Sequence, residues 1–332
     1  MLPVADTTFA EAAWIMVVKS LVIFGLIFAI LPLMTVLERK LIGRFQHRYG
    51  PNRVGPYGLM QPLADVGKLL SKEAFRPANA IPTLFVIGPL LPVLSGVLAL
   101  AIIPWGDVQN GVGLYGIDVP IGILYFFAVG SLAFYGVLLG GWSSGSKYSL
   151  LGAMRGAAQL ISYEVAMGLA LLGAVMMAGS LSLVDVVREQ GEMWFVLPQF
   201  VGFLVFMLAG FAETNRTPFD MPEADAELVQ GFMTEYGGMR FGSFLLVEYM
   251  EILVVSGIAA AMFLGGWMGP GPGFLDPIWM LVKILALVLL FIWVRATLPR
   301  LRYDQLMSLG WKILLPLATL NVLVTAVLVV VL

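Results

Sequence analysis

The 332-residue chain has no cysteine, one histidine (His47) and little charge, 12% charged residues against 60% hydrophobic. Without thiols there is no thiolate-ligated iron–sulfur cluster, no cysteine or multi-histidine zinc site and no disulfide within this chain, so cysteine usage is silent on redox compartment. His47 alone reads as a loop hydrogen-bonding residue rather than a metal ligand. The net charge of −2 supplies no basic field for nucleic acid. A soluble chain carries about twice this density of charge. With a mean hydropathy of +0.93, the bilayer must be the solvent. Residues 1–13 lack a basic residue, so a cleavable secretory leader is not expected and the first apolar run reads as a permanent anchor. Internal repeats, interdomain linkers and a dinucleotide-type glycine fingerprint after a strand are not found either.

Eight apolar runs are long enough to cross about 30 Å of hydrocarbon at ~1.5 Å per residue. They predict an all-α integral membrane protein, one membrane domain over 1–332, with spans near 14–36, 81–104, 119–142, 156–179, 194–214, 243–267, 276–297 and 310–332. Fourteen of the nineteen Lys and Arg fall in the connections 37–80, 143–155, 215–242 and 298–309, and only Arg188 in the opposite set. Basic loops stay cytoplasmic, so both termini are expected on the periplasmic side. Trp105, Trp194 and Trp267 near the outer ends suit an aromatic belt. Lys19 and Lys312 read as snorkelling anchors. Gly136 and Gly140 form a GxxxG pair that reads as close helix packing.

The connection 37–80 holds eight basic residues, Arg39, Lys40, Arg44, Arg48, Arg53, Lys68, Lys72 and Arg76. Within it Leu59, Leu63, Val66 and Leu70 recur at spacings of 4, 3 and 4, with Gln61, Asp65, Lys68 and Lys72 on another face. This predicts an amphipathic helix lying along the cytoplasmic membrane surface, with Asp65 and Lys68 placed to pair. Ahead of it, RFQHRYGPNRVGPYG has two Gly-Pro steps that stop regular structure. This basic, aromatic loop suits lipid headgroups, a soluble partner or the mouth of a cavity, and residue physics does not choose among them.

Acids stand where acids are costly. Glu164 lies in the fourth run, Glu213 ends the fifth, and Glu248 and Glu251 share a face of the sixth. Each carboxylate in hydrocarbon costs at least ~2.5 kcal/mol, so the group implies a shared polar interior able to hold protons. Lys283 in the seventh run reads as a counter-charge. The connection 215–242 adds Asp220, Glu223, Asp225, Glu227 and Glu235. Asp220 and Glu223 fit a capping box, and Glu223 and Glu227 on one helix face would repel. Arg295 and Arg300 offer forked donors to a polar headgroup arriving from the bilayer.

Four segments, ERKLIGRFQHRYGPNRVGPYGLMQPLADVGKLLSKE, GWSSGSKYSLLGAMRGAAQLISYE, FAETNRTPFDMPEADAELVQGFMTEYGGMRF and RATLPRLRYDQLMSLGWKILLP, closely resemble the family of the H subunit of bacterial NADH:quinone oxidoreductase (respiratory complex I) and its mitochondrial counterpart, subunit 1. The resemblance runs in order from about Leu37 to Pro316. It implies a cytoplasmic-side quinone chamber shared with peripheral-arm subunits and lined by Glu38, Arg39, Asp65, Val66, Lys68, Phe232, Arg295 and Arg300. It also implies a coupling path through Glu164, Glu213, Glu223, Asp225, Glu227, Glu235 and Glu248. Val66 stands where relatives usually have Ala, which narrows the passage slightly. Asp225 stands where they usually have Glu, keeping the charge on a shorter arm. Further implications are ubiquinone as substrate, FMN and iron–sulfur clusters on partner subunits with no cofactor or metal on this chain, other membrane-arm subunits and lipids as neighbours, and a multi-pass place in the inner membrane. The rivals are a homologous subunit of a hydrogenase or a ferredoxin- or F420-linked complex, an independent secondary transporter, and a purely structural anchor.

Overall fold

The computed structural model describes residues 13–109, 112–223 and 225–331. In chain order these form α1 (Ala13–Phe45), α2 (Gln61–Ser71), α3 (Pro82–Ala101), β1 (Pro104–Gln109), β2 (Val112–Tyr115), α4 (Gly122–Ser143), α5 (Lys147–Ala178), α6 (Leu183–Glu189), α7 (Phe200–Glu213), α8 (Asp225–Leu228), α9 (Gly238–Phe263), α10 (Asp276–Thr297), α11 (Tyr303–Leu309), a π turn (Gly310–Leu314) and α12 (Leu315–Val331). Among the described residues seven helices are long and apolar enough to cross a membrane: α1, α3, α4, α5, α9, α10 and the continuous α11–α12 run.

The seventh predicted span coincides with α10, and the surface helix appears as α2. Other expectations need correction. α1 continues nine residues past the predicted edge at 36, to Phe45, so Glu38 and Arg39 stand on helix rather than loop. Charge ends a hydrophobic run without ending a helix; what breaks this one is the stretch leading to Gly50-Pro51, where His47 adopts a left-handed φ of 53°. α5 likewise begins nine residues before the expected 156. The all-α expectation missed the antiparallel hairpin β1–β2, which pairs Pro104 with Tyr115 and Val108 with Gly113.

The fifth predicted span is the largest departure. α7 has only 14 residues, about 21 Å of helix at ~1.5 Å per residue, short of the hydrocarbon thickness. Non-helical backbone at membrane depth survives only when its polar groups find partners in the protein. At one end the buried Gln190 side chain accepts from Phe195 N (3.2 Å) and Gly265 N (2.9 Å). At the other, the buried Gln159 amide of α5 points at Ala212 O (2.6 Å), Phe219 O (2.8 Å) and Asn215 Oδ1 (3.3 Å). Asn215, at φ 50°, turns the chain out of α7.

α9 is the buried centre of the bundle, with Met250, Val255, Ile258 and Met262 packed against Phe206, Phe211 and Phe291 of its neighbours. A second core joins Phe85, Phe232, Tyr236 and Phe244. The predicted glycine pair does its packing work: a Cβ on Gly136 would overlap Pro92, and one on Gly88 would come within 2.9 Å of Gly140 Cα. Trp267 is buried rather than belted, and Trp194 faces the Lys283 ammonium at 4.4 Å. Gly136→Ala should therefore destabilise the protein by about 1–3 kcal/mol. Gly130→Ala, where nothing lies within 4 Å, should leave the Tm in detergent unchanged.

Candidate functional site

The residues singled out in the sequence converge on the end of the bundle where α1, α9, α10 and the segment after α7 meet. Glu38 is buried on α1. Tyr249 Oη of α9 donates to it at 2.6 Å, Arg295 of α10 pairs with it closely, and Arg216 Nη1 lies at 3.6 Å. Arg216 is the residue that reading the sequence missed. It is 8% exposed, its Nη2 lies 2.7 Å from Glu248 Oε2, and its guanidinium sits 4.6 Å from the Tyr249 ring centroid. Neither Nε nor Nη2 makes a well-aligned hydrogen bond. The signal that could have found it is its place one residue after Asn215, in a connection entered straight from an apolar run.

The acids form a row behind this hub. Glu248 and Glu251 stand one turn apart on α9, Glu213 ends α7, and Glu164 lies on α5, three helices that pack on one another. Ion pairs join Arg295, Glu38, Arg216 and Glu248, and the other acids stand on the helices around them, with Glu223 in the connection after α7. Lys283 takes no part in this group. Its Nζ donates to Gly266 O (2.8 Å) and Met268 O (2.7 Å), carbonyls just beyond the C-terminus of α9, instead of meeting a carboxylate. That end of α9 lies far along the helix from the acids, which is why the expected counter-charge role fails.

The connection after α7 also departs from expectation. Asp220 and Glu223 do not cap a helix, because α8 begins at Asp225. The Asp225 side chain lies outside the described residues. Glu227 escapes the expected repulsion by pairing with Arg155 Nη1 of α5 at 2.5 Å, with Arg300 Nη2 at 4.0 Å. The Arg155 hydrogen bond, then Arg300, holds the Glu227 carboxyl below the usual carboxylate range. Glu223 shows the reverse: burial first, then the neighbouring Glu248 carboxylate, pushes its carboxyl well above that range. Gly231, at φ 51°, lies where any Cβ would overlap the Pro222 carbonyl, and the loop sits close on α5 at Gly152, where a Cβ would come within 2.7 Å of Gly231 Cα and Pro222 O. Glu235 is half-buried just before α9, and Phe232 is buried edge-on to Phe244, at 5.0 Å and 88°.

On the surface beside the hub, Asp65 of α2 pairs with Arg39 Nη1 at 2.7 Å and accepts from Gln61 Nε2 at 3.1 Å, rather than from Lys68. Val66 and Lys68 are exposed, and so are Leu63 and Leu70 of α2 and Leu59 just ahead of it. A void of about 10 Å³ between Met34, Glu38, Arg216, Ile292 and Arg295 is the opening at the hub.

A carboxyl raised on folding holds its proton more tightly in the folded state, so stability is lost as pH rises from the ordinary carboxylate range toward the raised value. Glu223→Gln removes that proton. Its thermal midpoint should fall less than the parent's between about pH 5 and 9, as measured by a melting series in detergent.

Residues 18–326 match the family model described as NADH dehydrogenase. An NADH-quinone oxidoreductase H subunit of Geobacter sulfurreducens is 52% identical, covering 92% of this chain and 94% of its own. An H subunit of the same enzyme from Geobacter metallireducens is 51% identical over 92% and 94%, and that of Thermomicrobium roseum is 48% identical over 91% and 92%. With its several membrane-spanning helices and this agreement over nearly its whole length, the chain belongs to the NADH dehydrogenase family that includes the H subunits of NADH-quinone oxidoreductase.

Proposed function

We propose that this chain is the membrane subunit of a proton-translocating NADH:ubiquinone oxidoreductase in the bacterial inner membrane. It supplies one wall of the quinone passage, seats the redox subunits, and carries the electrostatic effect of quinone reduction into its carboxylates. The observation that supports this best is the chain of ion pairs from the half-exposed Arg295, through buried Glu38 and Arg216, to Glu248, with Glu251, Glu213 and Glu164 on the helices packed around it. Burying so many charges is costly, and a structural anchor alone does not require it. The names of the relatives favour NADH and quinone over the hydrogenase and ferredoxin alternatives.

The void at the hub holds about one water, so the quinone headgroup is read as lying outside it, against Arg295 and Arg300. Partner subunits laid over the exposed Arg39, Asp65, Val66 and Lys68 surface complete the chamber. Phe232 acts from behind the wall, through the second core. NADH oxidation, FMN and the iron–sulfur clusters belong to the partners, and ubiquinone is the substrate. Both termini face the periplasm and the basic connections the cytoplasm, so the exposed apolar face of α2 rests at the inner membrane surface. Charge formed on quinone in a medium of low dielectric acts several-fold more strongly than in water. It is felt first at Glu38 and Arg295, then along the row, while the Glu227 latch to Arg155 holds the loop in place.

Arg295→Ala in the assembled complex should raise the KM for a short-chain ubiquinone by about tenfold. Glu164→Gln and Glu227→Gln should each lower quinone-dependent turnover and pumping together, by on the order of tenfold. Normal kinetics in Arg295→Ala and Arg300→Ala would leave only an anchoring role. Normal pumping and turnover in the two glutamine variants would remove the acids from the path.

A further inference from the structure

Arg216 is a single cation between two buried carboxylates on different helices, Glu38 of α1 and Glu248 of α9. Its hold on each is incomplete. The Glu248 contact is short, at 2.7 Å, but Nη2 is poorly aligned for a hydrogen bond, and the Glu38 contact is long, at 3.6 Å. Its Nε makes no hydrogen bond. A guanidinium serving only as a structural clamp would be expected to satisfy its donors with one carboxylate in forked geometry. The Tyr249 ring, 4.6 Å away, gives the cation a face to slide across without leaving contact. Glu38 has other partners in Arg295 and Tyr249, whereas the cation on Glu248 is Arg216. A small displacement toward Glu38 therefore costs Glu248 its counter-charge and leaves Glu38 well supplied.

We propose that Arg216 is a shared counter-ion whose displacement from Glu248 toward Glu38 transmits charge from the quinone side to the acid row. The inference rests on the reading that quinone meets Arg295. Negative charge arriving beyond Arg295 draws the guanidinium toward Glu38. A proton then passes to Glu248 from the next carboxyl of the row, Glu251: one O–H bond breaks at the donor as one forms at the acceptor, and the donor is refilled through Glu213 and Glu164. Arg216 is a positioning residue, because it acts through carboxylates and does not touch quinone.

The test uses the assembled complex in sealed vesicles, with short-chain ubiquinone as acceptor. It reads KM, kcat and protons moved per electron for Arg216→Lys, Arg216→Gln and the double variant Arg216→Gln with Glu248→Gln. Lysine keeps the buried charge, so assembly does not hinge on the neutral variant. Its point charge cannot fork between two carboxylates, so kcat should stay within about threefold of the parent while protons per electron fall by about half or more. Arg216→Gln alone should lower kcat by about tenfold or more, because Glu248 is left buried and unpaired. The double variant removes the unpaired charge, so it should assemble at the parental level while kcat and the proton ratio both stay low, because Glu248 belongs to the row. A purely structural arginine predicts that lysine, or removal of both charges, restores kcat and proton ratio alike; that result overturns the proposal. If Arg295→Ala raises KM while the Arg216 variants pump at the parental ratio, this inference alone falls. An unchanged KM in Arg295→Ala takes the quinone reading down with it.

Discussion

A guanidinium cannot be buried in oil without anions around it, and Arg216 is buried. That requirement draws together elements with little else in common. α1 brings Glu38, α9 brings Glu248 and Tyr249, and α10 contributes Arg295 through Glu38. The segment carrying Arg216 has to leave α7 early to reach them. In water such pairs are worth little; in a low-dielectric interior, breaking one by removing a partner is strongly destabilising. The hub therefore organises this end of the bundle as well as polarising it.

Polarity divides along the bundle. One end collects the ionisable row, the Glu227 latch and the basic surface beside α2. The other is closed by uncharged or self-contained devices: the Gln190 amide among backbone groups, Lys283 on backbone carbonyls, and the Arg188–Asp107 pair at 2.6 Å. Gln199, Asn321 and Thr325 link α12 to the start of α7 with hydrogen bonds near 2.7 Å. These contacts bind helices to one another mostly through neutral groups, and the carboxylates among them, Asp107 and Asp185, are both held by Arg188.

Much of this was legible in the sequence because it is local. The periodicity of Leu59, Leu63, Val66 and Leu70 gives α2, and the apolar run 276–297 is α10 residue for residue. Glu164, Glu213 and Glu248 stand out because acids are rare in oily runs. What was not legible depends on partners distant in sequence. Arg216 lies in a connection where a basic residue looks ordinary, and its burial follows from a carboxylate 178 positions earlier and another 32 positions later. Asp65 chose Arg39 over Lys68 because α1 runs on as helix beside α2. The shortness of α7 was hidden for a similar reason: residues 194–199 are apolar enough to be helix, but the buried Gln190 offers their backbone another partner.

The brevity of α7 places a demand on one side chain. The backbone ahead of α7 and the backbone that leaves α9 both turn out of helix inside the protein, where water cannot serve their amides. The Gln190 side chain serves both: its oxygen accepts from Phe195 and Gly265, and its amide donates to Ala261 O at 2.7 Å. Two chain reversals far apart in sequence thus share a single keystone, and loosening it would free the start of α7 and the end of α9 at once.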